Sequence, residues 1–286
     1  MYSSLNGIRK QFRDELSGDY SDRIANQLFY RLLESFFGIK KTDAVLAPDK
    51  ELPEAQRDEL YAALKRLTAK EPVQYIDNTA YFMDDAFYVD HSVLIPRPET
   101  EELVQLILNQ QNQHALKVLD IGTGSGAIAV NLSKHRNNWS IYACDVSNEA
   151  LVVARRNGSE LLKNTEVAFY QEDILQPKSF YTSGLDVIVS NPPYVLETDK
   201  SDMQEQVLKH EPHTALFVSN DNPLLFYNAI VMYASDNLKQ SGALYFEVHE
   251  LYADKVAQLL SASDYLNVKV YDDLQGKPRM VSGLKS

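Results

Sequence analysis

From about residue 98 onward, β-prone and helical stretches alternate, which predicts an α/β fold with a mostly parallel sheet covered by helices on both faces. The last two β-prone pieces have no helix between them, so the final strand is expected to run antiparallel. Upstream, the first ~70 residues show only helical periodicity, which predicts a small N-terminal helical domain. The expected division is a helical domain over 1–72, a connecting β-hairpin over 73–92 and the α/β domain over 93–286.

In the first part, Ile24, Leu28, Leu32 and Phe36 recur every four residues between the cap-like Ser21-Asp22 and the stop-like Gly38. Pro53 opens a second periodic stretch through Leu60, Leu64 and Leu67, which Glu71-Pro72 closes. Thr79–Met83 and Ala86–Asp90 are aromatic and β-branched runs around Asp84-Asp85, the pattern of a hairpin. Pro98 begins a helix whose first turn carries Glu99, Glu101 and Glu102, where acidic groups favour the helix dipole. Strands are then expected at 117–121, 140–144, 166–170, 186–190, 243–248, 267–272 and 279–284. Helices are expected near 126–135, 148–163, 223–239 and 250–262, and the last two strands join through Gly276.

Composition narrows the classes. The chain has 286 residues, 44% of them hydrophobic, enough for a sizeable core. No apolar run approaches the ~18 residues of a membrane span. Residues 1–16 lack the apolar stretch of a secretory signal. The single cysteine, Cys144, cannot form an internal disulfide. Together these features lead us to expect a soluble cytoplasmic protein without membrane association. Residues 1–75 hold 12 basic and 12 acidic residues, so the remainder carries the whole net charge of −12. A polyanion is repelled by that larger part, which argues against direct nucleic-acid binding.

Two segments carry chemistry. Asp120-Ile-Gly-Thr-Gly-Ser-Gly126 lies between a strand and a helix, where glycines let backbone approach a ligand at a helix N-terminus. A tight turn without a ligand is the plain alternative. Gly122-x-Gly124-x-x-Ala127 also satisfies the dinucleotide pattern, and Asp145 closes the next strand, where a carboxylate can accept hydrogen bonds from ribose hydroxyls. The plain alternative for Asp145 is a helix N-cap before Ser147-Asn148. The loop therefore indicates an adenosine-containing ligand and does not choose between cofactors.

Asn191-Pro192-Pro193-Tyr194 does choose. It follows the apolar strand 187–190, at the strand end where open α/β sheets bind ligands. Its prolines hold the Pro192 carbonyl out of regular structure. The Asn191 side-chain oxygen and that carbonyl are suited to accept the two N–H groups of a planar NH2, with Tyr194 stacked on its face. A merely rigid loop is the alternative.

These segments, with Asp145 after the second strand and Glu172-Asp173 after the third, resemble a class I S-adenosylmethionine-dependent methyltransferase with a Rossmann-like sheet. The Asn-Pro-Pro-Tyr branch modifies planar nitrogens. Glu71-Pro-Val-Gln-Tyr-Ile76, Leu94-Ile-Pro-Arg-Pro-Glu-Thr-Glu101, Glu211-Pro-His-Thr-Ala-Leu216 and Asp273-Leu-Gln-Gly-Lys-Pro-Arg279 resemble the HemK/PrmC family of release-factor N5-glutamine methyltransferases. The resemblance runs over roughly residues 71–284 in family order. Three places depart from it: Ser219–Pro223, Glu247-Val-His249, and Ile174, where some members carry an aromatic beside the adenine.

The resemblance implies S-adenosylmethionine as cofactor, S-adenosylhomocysteine as product, and class I peptide chain release factors as protein substrate. It implies that Gly122, Thr123, Gly124, Ser125 and Gly126 surround the methionine part, Asp145 the ribose, and Asp173 with Ile174 the adenine. Asn191 touches both cofactor and substrate, and Pro192, Pro193 and Tyr194 complete the acceptor site. Asp173 is otherwise a turn carboxylate. Arg97 either lines the cofactor pocket or pairs with Glu99 or Glu101. His210 and His213 have no matching ligand cluster, so no metal is expected. Arg155-Arg156 reads as a solvated helix face.

A nucleic-acid base methyltransferase, acting on adenine N6 or guanine N2, is the alternative in substrate. An NAD-dependent oxidoreductase explains the glycine loop but leaves Asn191–Tyr194 without a task, and a silent binding protein leaves both loops so. The neutral helical domain is expected to recognise the protein substrate.

Overall fold

The structure is a computed structural model that describes residues 2–111, 114–177 and 183–286. The chain separates into two compact units, one of Met1–Thr79 with Gln204–His210 and one of Ala80–Met203 with Glu211–Ser286.

The first unit is helical: α1 (Leu5–Leu16), α2 (Asp22–Phe37), α3 (Lys41–Leu46), α4 (Glu54–Thr68) and the single turn α5 (Val73–Ile76). Leu5, Ile8, Phe12 and Leu16 form the buried stripe of α1. Ser21 caps α2 by accepting from the Ile24 amide, and Gly38 ends it in the left-handed region, at φ 66°. The buried stripe of α2 differs from the expected one. Ala25, Phe29, Leu32 and Leu33 face the core, while Ile24 is exposed, because the stripe that packs on Phe12 starts one residue later. Leu60, Ala63, Leu64 and Leu67 complete this core from α4.

Two forked ion pairs close the unit. Arg31 grips Asp77 at 2.6 and 3.0 Å, and Arg66 grips Glu71 at 2.7 and 2.5 Å.

At the start of the second unit, β1 (Thr79–Phe82, whose first residue belongs to the helical unit) and β2 (Asp85–Tyr88) pair as a hairpin, with Phe82 and Phe87 edge to face in the core. Then follow α6 (Pro98–Gln110), β3 (Lys117–Ile121), α7 (Ala127–His135), β4 (Ser140–Asp145), α8 (Asn148–Leu161), β5 (Val167–Gln171) and β6 (Leu185–Ser190). A short parallel pair, β7 (Val195–Leu196) and β8 (Phe217–Val218), brackets the turns α9 (Glu205–His210) and α10 (His213–Leu216). Last come α11 (Leu225–Asn237), β9 (Leu238–Glu247), α12 (Ala253–Ala262), β10 (Tyr265–Asp272) and β11 (Pro278–Lys285). Of these, α9 clusters with the helical unit.

The main sheet has seven strands in the order β10-β11-β9-β6-β3-β4-β5. It is parallel from β9 to β5, while β11 runs antiparallel to both β9 and β10. Alternating side chains feed two cores. Val118, Ile141 and Val187 meet α6 and α7 on one face, and Leu119, Ile188 and Leu244 meet α11 and α12 on the other. Each fully buried residue of this size stabilises by about 1.5–3 kcal/mol.

Strand β9 begins at Leu238, five residues before the expected start. Leu238 pairs with Leu185 ahead of a register shift, near which Ser241 sits at φ 60°. The polar Lys239-Gln240-Ser241 stretch hides this extension from a hydropathy pattern.

Candidate active site

The carboxyl ends of β3, β4, β5 and β6 converge on a cleft of about 1120 Å3, part of it open to solvent. Sequence order alone brings none of these ends together; the parallel register does.

The glycine loop is pinned from beneath. The amides of Gly122 and Thr123 both donate to the Cys144 carbonyl, at 2.9 and 3.0 Å. Ser190 ties the neighbouring strand end to it by donating to the Ile121 carbonyl at 2.7 Å. Behind the loop, Asn157 of α8 donates to the Ser125 carbonyl and exchanges bonds with Tyr88 of the hairpin. Nothing in the sequence distinguished this buried asparagine from a surface one.

Gly122, Thr123, Gly124 and Ser125 line the cleft, but Gly126 does not. Gly126 precedes α7 at φ 83°, and a Cβ there would lie 3.3 Å from Cα and Cβ of Ala154. Its task is close packing of α7 against α8.

Asp145 lies at the cleft wall, with Oδ2 accepting from Gly124 N at 2.9 Å and Oδ1 from Ser147 N at 3.0 Å. The cap of α8 is Ser147, not Asp145. Burial raises the Asp145 pKa, and the backbone donors at Ser147 and Gly124 oppose that rise. Asp173 also lines the cleft and accepts from Leu175 N at 2.9 Å, so it is a turn carboxylate at the same time. Ile174 and Val146 add apolar wall. A carboxylate at the β4 end, left-handed glycines and a partly apolar wall fit an adenosyl group.

Asp120 lies under the loop, fully buried, and accepts from Thr123 Oγ1 at 2.6 Å. Burial pushes its pKa up to about 7 from 3.8, against the opposing Thr123 bond. A raised folded-state pKa means stability present below pH ~4 and lost as pH rises through ~7. Asp120→Asn keeps an acceptor for Thr123 and removes the ionisation. Urea denaturation is expected to show the variant gaining on the parent between pH 5 and pH 8, by about 2.5 kcal/mol. An equal difference at both pH values would contradict this.

Beyond β6, Asn191 and Pro192 line both the cleft and a smaller adjoining cavity of about 300 Å3, which Tyr194 also lines. Pro193 is on the cleft side only. Asn191 Nδ2 donates to Thr100 Oγ1 at 3.1 Å, and Thr100 Oγ1 donates to Glu247 Oε2 at 2.6 Å. The Tyr194 hydroxyl donates to Glu247 Oε1 at 3.1 Å. Asn191 Oδ1 and the Pro192 carbonyl take no hydrogen bond from the described residues, so two acceptors stand unpaired on residues that line both cavities.

Glu247 is buried at the end of β9. Burial raises its pKa to about 7, opposed by the bonds from Thr100 and Tyr194 and by Arg279. Thr100 and Glu247 are the site residues that sequence reasoning missed. Both lie in segments compared with the family, Leu94–Glu101 and Glu247–His249, where neither carried a role of its own.

Arg97 lines both cavities and pairs at 2.5 Å with the buried Glu211, whose other oxygen accepts from Ile95 N. The expected partners were Glu99 or Glu101. Glu101 instead accepts from the Met83 amide of the hairpin turn, and Glu211 arrives from 114 residues away in sequence. Arg156 lies over the Tyr88 ring and pairs with Glu160, on an exposed helix face. No group of three His, Cys, Asp or Glu among the described residues could hold a metal ion. No helix among them is long and apolar enough to cross a membrane.

A glycine loop after β3, an acid after β4 and a free acceptor pair after β6, on this strand order, define a class I methyltransferase. Residues 99–217 match the family described as Methyltransferase small domain, and residues 8–76 match the PrmC N-terminal domain. A release factor glutamine methyltransferase of Flavobacterium psychrophilum is 38% identical, the alignment covering 97% of this chain and 98% of that protein. One from Bacteroides thetaiotaomicron is 37% identical over 97% and 99%. A solved methyltransferase from Pyrococcus furiosus shares the fold with a TM-score of 0.53 at 17% identity, over 82% of this chain and all of that one. The chain belongs to the release factor glutamine methyltransferase family.

Proposed function

We propose that this enzyme transfers the methyl group of S-adenosylmethionine to the side-chain amide nitrogen (N5) of the glutamine in the Gly-Gly-Gln motif of class I peptide chain release factors. The observation that carries this reading is the pair of unpaired acceptors, Asn191 Oδ1 and the Pro192 carbonyl, on residues that line both cavities. S-adenosylmethionine, when bound, supplies a methyl group on a sulfonium leaving group. The glycine loop and Asp145 hold the adenosyl and methionine parts, and Asp173 with Ile174 flanks the base.

An amide nitrogen is a weak nucleophile, because its lone pair is delocalised into the carbonyl. Asn191 and Pro192 accept its two N–H groups, fix the plane of the amide and stabilise positive charge developing on nitrogen. Tyr194, its hydroxyl held by Glu247, stacks on that plane. No protein nucleophile is required, and water accepts the released proton.

The helical unit recognises the release factor in this reading, and the cytoplasm, where release factors act, is the compartment. Deleting residues 1–70 is then expected to raise KM for the release factor while sparing S-adenosylhomocysteine binding. An unchanged KM in a folded truncation would reject that role.

The deciding experiment measures methyl incorporation from labelled S-adenosylmethionine into a purified release factor and its Gly-Gly-Gln→Gly-Gly-Ala variant, with ribosomal RNA and DNA in parallel. Label on the unaltered factor alone is expected. Label on nucleic acid alone would replace the substrate with an exocyclic base amine and leave the acceptor geometry standing.

A further inference from the structure

We propose that Glu247 and Thr100 are positioning residues that lock the Asn191 side chain with its oxygen facing the methyl acceptor. The proposal rests on the reading of Asn191 given above.

A side-chain amide is nearly symmetric in shape, and only its hydrogen-bond partners decide which end faces where. Asn191 turned end for end would present two donors to the incoming NH2, and its N–H groups would find no acceptor there. Packing cannot prevent that turn, because oxygen and NH2 differ little in size.

The bonding around Glu247 does prevent it. An ionised carboxylate only accepts. Its Oε2 therefore takes the Thr100 hydroxyl proton at 2.6 Å, and its Oε1 takes that of Tyr194 at 3.1 Å. With its proton committed, Thr100 Oγ1 presents only lone pairs to Asn191, 3.1 Å away. Nδ2 satisfies those lone pairs, whereas Oδ1 in its place would set acceptor against acceptor. The preference travels from β9, through the first turn of α6, to the loop after β6. Thr100 and Glu247 are both buried, so water competes little for these bonds.

Protonation of Glu247 weakens the lock, because the carboxyl then has a proton of its own to give Thr100 or Tyr194. The groups around Glu247 are Thr100 and Glu99 of α6, Tyr194 of the acceptor loop, Tyr227 of α11 and Arg279 of β11. Arg279 favours the ionised form, and burial opposes it. Activity is therefore expected to fall as pH drops through about 7, and Glu247→Gln is expected to flatten that profile.

The test compares Thr100→Val with Thr100→Ser, each in the parent and in an Asn191→Ala background, by methyl transfer to the release factor. Valine matches threonine in shape without the hydroxyl, and serine keeps the hydroxyl. Thr100→Val is expected to lower kcat by about 10- to 100-fold, with KM and the Kd of S-adenosylhomocysteine within about 3-fold. Thr100→Ser should recover kcat to within about 3-fold of the parent, and in the Asn191→Ala background Thr100→Val should cost no more than about 3-fold.

A valine loss that persists undiminished without Asn191 would overturn the proposal, since a purely structural role predicts additivity. So would a serine variant as slow as valine. Should Thr100→Val fail to fold, the serine variant and the Glu247→Gln pH profile decide; an unflattened profile overturns it. An Asn191→Ala enzyme with parental kcat would instead sink the reading of Asn191 itself.

Discussion

Asn191→Ala is expected to lower kcat by about 100- to 1000-fold while the Kd of S-adenosylhomocysteine stays within about 3-fold. The loss follows from what Oδ1 is placed to do. Of the two unpaired acceptors on residues lining both cavities it is the side-chain one, and removing it leaves only the Pro192 carbonyl to orient the amide. A loss of that size is about 3–4 kcal/mol of transition-state stabilisation. Ground-state binding changes little, because the glycine loop and Asp145 sit on other strand ends and keep their bonds. Single-turnover methyl transfer beside calorimetric titration of the product cofactor separates the two. A variant that loses cofactor affinity and retains kcat would show that Asn191 serves the cofactor instead.

The second large effect separates two glycines of one loop. Gly124 has φ 54°, and a Cβ there would meet no atom within 4 Å, so a side chain would occupy open cleft space. Gly124→Val is expected to weaken S-adenosylhomocysteine binding more than about 100-fold. Its stability cost is that of a β-branched residue in the left-handed region, of order 1–3 kcal/mol. Gly126→Val meets the Ala154 backbone as well as its own φ of 83°, and is expected to cost more than about 3 kcal/mol of stability. Thermal melts beside calorimetric titration with S-adenosylhomocysteine rank the pair. A Gly126 variant as stable as the Gly124 variant would refute the packing role.

Much of this molecule is legible without coordinates. Strand β3 and the Pro98 start of α6 have their expected bounds, because a short apolar run between polar ends and a proline at a first turn are local statements. The glycine loop and the Asn191–Tyr194 loop were visible for the same reason, since each depends on backbone constraints written in consecutive residues. The segment from 195 to 218 was not. Its two-residue strands and short turns have too few residues to show a period, and their pairing joins Val195 to Phe217 across a gap in sequence.

The polar partners divide along the same line. For Arg97 the sequence left a place in the pocket wall and a pairing with Glu99 or Glu101 both open, and its partner Glu211 was not visible. Glu247 read as the end of an apolar strand, with nothing in its neighbours to mark a buried acid between a threonine and a tyrosine.

What the sequence determined by itself was the succession of the main strands and helices, the two loops and the family, because local periodicity and contiguous motifs carry that information. What only the tertiary structure decided was which distant side chains meet. Strand register and helix packing bring Thr100, Asn191 and Glu247 within hydrogen-bond reach, and once buried there each polar atom must find its partner among whatever the fold has placed beside it.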